Sequence, residues 1–379
     1  MQKKTRDNMV YIAVMFLTGV VCGIFGVRQW LGGTGQSVSA GQEIVRLVFL
    51  LFFLYVGFWI QMIIHEAGHL VFGLLSGYSF SSFRIGSVML TKKGKKLEWK
   101  QYSLMRTGGQ CLMVPPNDSL EKIPYVLYNM GGVIANVVAS MILVWIAKVL
   151  PSSGIRSGIC MITAIAGLGS ALMNGIPLHM EMIDNDGANT VSISKSEEAK
   201  RCFVSQMYIN AYTTKGMRLK DMPDMWFRIP DEESRKNALC AENGVFACLR
   251  AIDQMDFEKA RKIGYQMIGE DNGMAGIYRQ ILQAEMMYCE MIREKQSGGV
   301  EQLKTKELDK FLKTMKKNPS VQRIEYVYHL LELHDEEEAQ KDLERFEQTA
   351  KTYPNECEIE GERELIAYAR EIFEKRSAG

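Results

Sequence analysis

The first half of this chain contains uncharged stretches that are long enough to cross a lipid bilayer. Between Asp7 and Arg28 lie 20 uncharged residues, and between Lys122 and Lys148 lie 25. At a rise of about 1.5 Å per residue, a helix of either length covers the hydrocarbon core of roughly 30 Å. Such segments must be helical, because lipid offers no partner to free backbone groups. The chain of 379 residues is therefore not a single soluble globule.

The charges divide the chain into two unlike halves. Residues 1–187 hold 15 Lys and Arg against 9 Asp and Glu, a net charge of +6, whereas residues 188–379 hold 30 against 35, a net charge of −5. The second half has no apolar run of spanning length, and its periodicity predicts amphipathic helices. It lacks a basic stripe with interleaved aromatic residues, so we expect no nucleic-acid partner. The 8 cysteines show no paired spacing and are expected to be reduced thiols.

Four membrane spans are predicted. They cover residues 8–27, about 44–75, 123–147 and about 157–177. A cleaved signal peptide is the alternative for the first span, but its apolar core is too long for one, and we expect a retained anchor. By the positive-inside rule, the N-terminus, the basic 79–122 loop and the large C-terminal half lie in the cytoplasm. We expect a multi-pass protein of a bacterial cell membrane.

The basic loop between the second and third spans is expected to form a small β-hairpin. Phe83 to Met89 and Leu97 to Met105 are β-prone and flank a Lys-Lys-Gly-Lys-Lys turn. The predicted fold class is mostly α, a polytopic bundle of about four spans with this hairpin, followed by a soluble all-α domain. The expected domains are an N-terminal anchor and loop at 1–43, a membrane core at 44–190 and a cytoplasmic helical domain at 191–379.

The second span carries ionisable residues that are costly to bury in lipid. His65, Glu66 and His69 form the pattern H-E-x-x-H. On a helix, positions i and i+4 share one face, so both imidazoles can bind one Zn²⁺ and Glu66 can serve as a general base beside it. An intramembrane ionisable cluster is a functional site by default. The alternative is a cluster that lies in headgroup water without a function. Leu75, at the end of the span, lies about 9 Å beyond His69 along the helix. The site is therefore expected to be shallow in the membrane and reachable by water.

A catalytic zinc site needs a third protein ligand and one open position. The candidates follow the fourth span and are His179, Glu181, Asp184 and Asp186. Asp186 stands out, because the next residue, Gly187, permits a tight backbone turn. Such a turn would point the carboxylate back at a metal that is held on another helix.

These motifs occur in an order that resembles the site-2 protease family of intramembrane zinc metalloproteases. The resemblance covers residues 45–190 and is carried by H-E-x-x-H at 65–69, Gly131-Gly132-x-x-Ala135-Asn136, Asn174-x-x-Pro177 and Asp186-Gly187. It implies a three-helix catalytic core in which His65, His69 and Asp186 hold zinc. It also implies that Glu66 is the general base, and that Asn136 and Asn174 lie near the substrate strand. For Asn136, an interhelical hydrogen bond is an equal alternative.

The chain departs from the family pattern at one point. The commonest pattern places the metal-binding Asp eight residues after the Asn, where this chain has Met182, whereas Asp186 follows Asn174 by twelve residues. We place Asp186 ahead of Asp184 as the third ligand, because some relatives have a lengthened connection here. His179 is interpreted as a loop residue or a neighbour of a ligand.

The leading hypothesis is an intramembrane zinc endopeptidase that acts on single-span membrane proteins or peptide precursors. The alternative is a proteolytically silent anchor that presents a helical interaction domain. Seven helices with short connections are predicted between residues 232 and 375. Asp335 to Pro354 weakly resembles part of a tetratricopeptide repeat, with an irregular helical bundle as the alternative. This domain could bind a protein partner, and a substrate tail, a regulator and a second copy of the chain are the alternatives.

Overall fold

The structure is a computed structural model of the chain. It describes residues 2–31, 39–94, 96–101, 108–116, 123–151, 155–179, 184–293 and 299–378. The fold is mostly helical, at 74%, with four apolar helices and a small antiparallel sheet, which confirms the predicted fold class.

Among the described residues, four helices are long and apolar enough to span a membrane. They are α1 (Gln2–Leu31), α2 (Ala40–Leu75), α3 (Tyr125–Val149) and α4 (Ile155–Gly175). Each overlaps one of the predicted spans over most of its length. Helix α2 begins before its apolar stretch because Ser39 and Gln42 form a capping box, in which each side chain accepts a hydrogen bond from the backbone of the other.

Glycines allow α2 and α3 to touch along their backbones. A Cβ atom built on Gly68 of α2 would overlap the carbonyl oxygen of Gly131 on α3, and one built on Gly131 would lie 2.7 Å from the Gly68 carbonyl oxygen. Small residues permit this approach in membrane helices, where dispersion contacts drive association. The motif residues of α2 are thereby pressed against α3.

We expect Gly68→Ala to lower the free energy of unfolding by about 1–3 kcal/mol, because the added methyl group meets rigid backbone atoms. Gly23→Ala on α1 is the matched control, since nothing lies within 4 Å of an added Cβ there. Thermal unfolding of both variants in detergent measures the difference. Equal stability of the two variants would contradict the close packing of α2 on α3.

A four-stranded antiparallel sheet follows α2 in the chain. Its strands are β1 (Ser79–Ile85), β2 (Val88–Lys93), β3 (Lys96–Gln101) and β4 (Gly109–Val114), in the order β3-β2-β1-β4. The β2–β3 register pairs Lys93 with Lys96. Gly94 adopts a φ of 64° at this turn, a conformation that glycine reaches without strain. The predicted Lys-Gly turn therefore lies where the sequence places it.

The sheet is larger than the hairpin that the sequence predicts. The first predicted arm, Phe83 to Met89, is divided at Gly86, where a φ of 58° turns the chain from β1 into β2. Strand β4 has no counterpart in the prediction. Met105, the end of the second predicted arm, lies outside the described residues.

The chain divides into two compact units. The first consists of Met1–Ser79, Gly108–Cys111 and Lys122–Val191, and it contains the four membrane helices. The second consists of Phe80–Thr107, Leu112–Glu121 and Ser192–Gly379.

The second unit consists mainly of helices with short connections. After α5 (Asp186–Ser194), the chain forms α6 (Glu197–Thr214), α7 (Ala238–Asp253), α8 (Phe257–Gly269), α9 (Gly276–Met291), α10 (Gly299–Leu303), α11 (Lys306–Thr314), α12 (Pro319–Leu331), α13 (Glu336–Ala350) and α14 (Glu356–Ala378). The seven predicted helices correspond to α7, α8, α9 and α11 to α14. Helices adjacent in sequence pack on each other, as α7 does on α8 and α12 on α13. Their shared core includes Leu282, Met286, Leu330 and Phe346.

Candidate metal centre

Two histidines on α2 place their ring nitrogens side by side. His65 and His69 lie one helical turn apart, and their Nε2 atoms are 3.1 Å from each other. Both residues are buried. The H-E-x-x-H motif thus has the geometry in which one helix face presents two imidazoles to the same point.

The carboxylate of Asp186 completes the cluster. Asp186 is the first residue of α5, and its Oδ2 lies 3.0 Å from His65 Nε2 and 3.4 Å from His69 Nε2. In the part of the chain that the structure describes, these three residues form the group whose ligand atoms all lie within 4.8 Å of one another. Burial raises the pKa of the Asp186 carboxyl, but the adjacent His69 and His65, in their protonated, metal-free form, outweigh it and hold the pKa below its usual value. The carboxylate is therefore ionised at neutral pH, as a metal ligand must be.

Asn185 holds the connection that delivers this carboxylate. Its Nδ2 donates to the carbonyl oxygens of Met173 and Ile176, near the end of α4, at 2.6 and 2.7 Å. Its Oδ1 accepts hydrogen bonds from the backbone amides of Leu178 and Ala188 at 3.1 and 2.9 Å. One side chain thus joins the end of α4 to the first turn of α5. No motif in the sequence indicates Asn185, although Asn directly before a helix is a common N-cap signal.

Gly187 allows a close backbone approach, in addition to the tight turn that the sequence predicts. A Cβ atom on Gly187 would overlap the carbonyl oxygen of Gly175 and lie 3.1 Å from the carbonyl oxygen of Asn174. Gly187 is not among the described glycines with a positive φ. Its backbone is therefore not left-handed, and the need for glycine arises because α5 begins against the last turn of α4.

Hydrogen bonds on the far side of each imidazole determine where its proton lies. His65 Nδ1 is 2.8 Å from Asn136 Oδ1, and His69 Nδ1 is 2.8 Å from the carbonyl oxygen of Tyr128. The Asn136 amide is oriented by its Nδ2, which donates to the Gln61 carbonyl oxygen and Oε1 at 2.8 and 2.9 Å. Both partners of the rings can only accept, so each Nδ1 carries a hydrogen and each Nε2 presents a lone pair.

The three ligand atoms fit a tetrahedral zinc ion. Two imidazole lone pairs and one carboxylate oxygen converge at separations of 3.0, 3.1 and 3.4 Å. Zinc bonds of about 2.0–2.2 Å in a tetrahedron would separate neighbouring ligand atoms by about 3.3–3.6 Å. Three lone pairs repel one another at this distance, so a proton or a metal ion between them stabilises the cluster. Three protein ligands would leave the fourth position open, as catalytic zinc sites do.

Glycines make room for the functional side chains of α2. A Cβ atom on Gly109, the first residue of β4, would lie 2.5 Å from Glu66 Cγ and 2.6 Å from its Oε1. A Cβ atom on Gly132 of α3 would lie 2.5 Å from His65 Cε1. Glu66 is buried, so its carboxylate lies in a confined space beside the cluster. Gly132 belongs to a motif that the sequence indicated, whereas Gly109 does not.

Gln61 is part of this network and was not indicated by any motif. It lies on α2, one turn before His65, and is fully buried. Its Nε2 donates to the carbonyl oxygen of Thr163 on α4 at 3.1 Å. A chain of hydrogen bonds therefore runs from α4 through Gln61 and Asn136 to His65. An amide side chain in an apolar span, four residues before a metal-binding candidate, is the sequence signal that could have found it.

The surroundings of Asn136 favour one of its two predicted roles. Asn136 is fully buried, and both of its side-chain polar atoms are engaged by His65 and Gln61. Because Asn136 is fully buried between α2 and α3, a substrate could reach its amide only if these helices moved apart. The interhelical hydrogen bond is therefore the better supported alternative.

We expect Gln61→Leu to weaken zinc binding by about 10- to 100-fold, because outer partners of a metal-binding histidine contribute on that scale. Competition with a chromophoric chelator measures the zinc affinity of the purified chain. Ile63→Leu, at a half-exposed position of the same helix, is the control and should retain wild-type affinity. A folded Gln61→Leu protein with unchanged zinc affinity would show that Gln61 does not position His65.

The other described candidates, His179, Asp184 and Asn174, form hydrogen bonds outside the cluster of His65, His69 and Asp186. Asp184 Oδ2 is 2.9 Å from His179 Nδ1, and the His179 amide donates to Asp7 at 3.0 Å. Glu181 lies outside the described residues. Asn174 donates from Nδ2 to a backbone carbonyl oxygen one turn back in α4, at 3.0 Å. Its contact with a substrate stays a prediction.

Comparison with known proteins was made at the level of families, single proteins and structures. The family model described as Peptidase family M50 matches residues 53–350, well over half of the chain. The matched range includes the motif on α2, Asp186 and most of the helices of the second unit. No match was found among curated proteins or among solved structures.

Proposed function

Since this chain belongs to peptidase family M50, the site-2 protease family, we propose that it is an intramembrane zinc endopeptidase. His65, His69 and Asp186 would hold the ion, and Glu66 would be the general base. The family in general depends on zinc and acts on membrane proteins. The observation that carries the proposal for this chain is the convergence of two imidazoles and one carboxylate within 4.8 Å.

The proposed chemistry divides between the metal and the chain. A zinc ion bound here would supply a Lewis acid that polarises the scissile carbonyl group and makes a water molecule more acidic. Glu66 takes the proton of the attacking water and passes it to the leaving amine nitrogen. Asn136 and the Tyr128 carbonyl oxygen keep the Nδ1 proton on each ring, so His65 and His69 retain one orientation throughout.

The proposed substrates are single-span membrane proteins or peptide precursors. A transmembrane helix engages its carbonyl groups in internal hydrogen bonds, so the substrate must unwind locally before water can attack. The H-E-x-x-H motif lies within the last three turns of α2, which ends at Leu75. The peptide bond that is cut would therefore lie near one end of the substrate span. The positive-inside rule assigns this end, the N-terminus and the helical second half to the cytoplasm.

A comparison of membrane proteomes tests the proposal. Cells that produce Glu66→Ala in place of the wild-type protein should accumulate an uncleaved single-span protein or peptide precursor. Glu98→Ala changes a carboxylate on β3 and serves as the control, with the wild-type proteome expected. Identical proteomes for Glu66→Ala and wild type across growth conditions would contradict a protease function.

A further inference from the structure

The second unit contains a cavity of about 330 Å³ between its helices. This volume is at the lower end of the range for sites that bind small molecules. Aliphatic and aromatic side chains form most of its wall, and the aromatic ones are Phe246, Tyr278, Phe311 and Tyr353.

The charged side chains in the cavity wall are mostly acidic. Four carboxyl groups line it, namely Asp253 on α7, Glu285 on α9, and Glu358 and Glu362 on α14. Two guanidinium groups, those of Arg218 and Arg323, line it as well. The wall therefore has more acidic than basic groups.

Both guanidinium groups are already engaged. Arg218 donates to Asp253 Oδ1 from Nε at 3.1 Å and from Nη2 at 2.5 Å. Arg323 donates from Nη2 to the two oxygens of Glu285 at 2.8 and 2.7 Å, and from Nε to Glu362. Each guanidinium is thus held against carboxylates of the wall, and Glu285 and Glu362 share a single positive charge.

Glu358 is the carboxyl group that these pairs leave over. Its side chain accepts hydrogen bonds from Tyr353 and Asn355, and burial raises its pKa above the usual value. Burial and the nearby Glu285 also raise the pKa of Glu362, although Arg323 opposes the shift. Burial disfavours the ionised form of both carboxyl groups, and the surrounding positive charge does not fully offset this effect. A cation in the cavity would add to that charge.

We propose that this cavity binds the lysine or arginine side chain of a peptide segment. The aliphatic and aromatic wall suits the apolar stem of such a side chain and can stack on its cationic head. Glu358 and Glu362 supply the acceptors for charge-assisted hydrogen bonds. Single-span proteins carry lysine and arginine next to the cytoplasmic end of their span, so a substrate segment is the expected source. That source rests on the proposed function, whereas the binding of a basic side chain does not.

Isothermal titration of the full chain in detergent tests the proposal. The probe is the blocked peptide acetyl-Leu-Arg-Leu-amide, for which we expect saturable binding. The peptide with Gln in place of Arg should bind at least about tenfold more weakly, because its neutral amide cannot form charge-assisted hydrogen bonds with Glu358 and Glu362. Equal or tighter binding of the peptide with Glu would overturn the assignment. Agmatine, a guanidinium without a peptide backbone, should also bind more weakly. Equal affinity for agmatine would overturn the proposal of a peptide ligand and favour a free small cation.

Two variants separate the cavity from the rest of the domain. Glu358→Gln keeps the shape and removes the charge, and it should weaken binding of the Arg peptide by about tenfold. Glu360→Gln, at an exposed position two residues farther along α14, is the matched control with wild-type affinity. If Glu358→Gln fails to fold, Glu362→Gln provides the same comparison. Equal affinity in the control and a folded cavity variant would overturn the proposal.

The titration needs no hydrolysis, so it is independent of the protease reaction. A chain that binds the Arg peptide but cleaves no membrane protein would contradict the proposed function and retain the cavity assignment. A chain that cleaves membrane proteins but does not bind the peptide would contradict the cavity assignment alone.

Discussion

Glu66→Gln is expected to lower the rate of peptide-bond hydrolysis by at least about a hundredfold, the scale on which general bases contribute. Glutamine has nearly the size of glutamate, so it fits the confined space beside Gly109. It cannot take a proton from water, however, and this step is the one that Glu66 performs in the proposed mechanism. Because glutamine leaves His65, His69 and Asp186 in place, zinc should remain bound.

The measurement is the turnover of a single-span substrate by the purified chain in detergent, together with its zinc content. Glu98→Gln, which alters a carboxylate on β3, should retain both wild-type values. A Glu66→Gln protein that holds zinc and cleaves at a rate within tenfold of wild type would exclude Glu66 as the base.

The second large effect is expected for Asp186→Ala, which should weaken zinc binding by more than about a hundredfold. This loss exceeds the one expected when a residue that hydrogen-bonds to a metal ligand is removed. Alanine leaves two imidazole ligands, and the remaining protein donors are too few for a catalytic zinc site. Hydrolysis should be lost with the metal. Zinc content after dialysis and chelator competition give the two readouts.

Asp184→Ala is the matched control for this variant. Asp184 lies two residues away and is hydrogen-bonded to His179 at 2.9 Å, so its removal should change zinc affinity only slightly. If Asp184→Ala loses zinc while Asp186→Ala keeps it, the assignment of the third ligand is wrong. If the wild-type chain itself binds no zinc, the alternative of a silent anchor with a helical interaction domain is supported.

The helices of this protein could largely be predicted from the sequence, because their signals are local. A segment that spans a bilayer needs a long, mostly uncharged run, and the run that ends at Leu75 therefore predicts a helix. The seven predicted helices of the second half follow from amphipathic periodicity in the same way. The helices were placed with small errors at their ends, such as the start of α2 at Ala40, where a capping box extends the helix beyond its apolar stretch.

The sheet was less predictable, since strand pairing depends on residues distant in sequence. The turn between β2 and β3 has a local signal, the Lys-Lys-Gly-Lys-Lys segment, and the sequence predicts it correctly. The division of the first arm at Gly86 and the addition of β4 depend on a positive φ and on pairing across the sheet. Neither leaves a distinct mark in a short window of sequence.

By itself, the sequence determined that His65, Glu66 and His69 lie on one helix in an apolar span. Helical spacing puts the two histidines, four residues apart, on the same face. Only the tertiary structure decided which further groups meet them. Asp186 reaches His65 because Asn185 joins α4 to α5, and Gln61 supports His65 through Asn136 on another helix. These contacts depend on how separate helices pack. A hydrogen bond between residues that are distant in the chain leaves no local pattern, so it cannot be recognised in a single sequence.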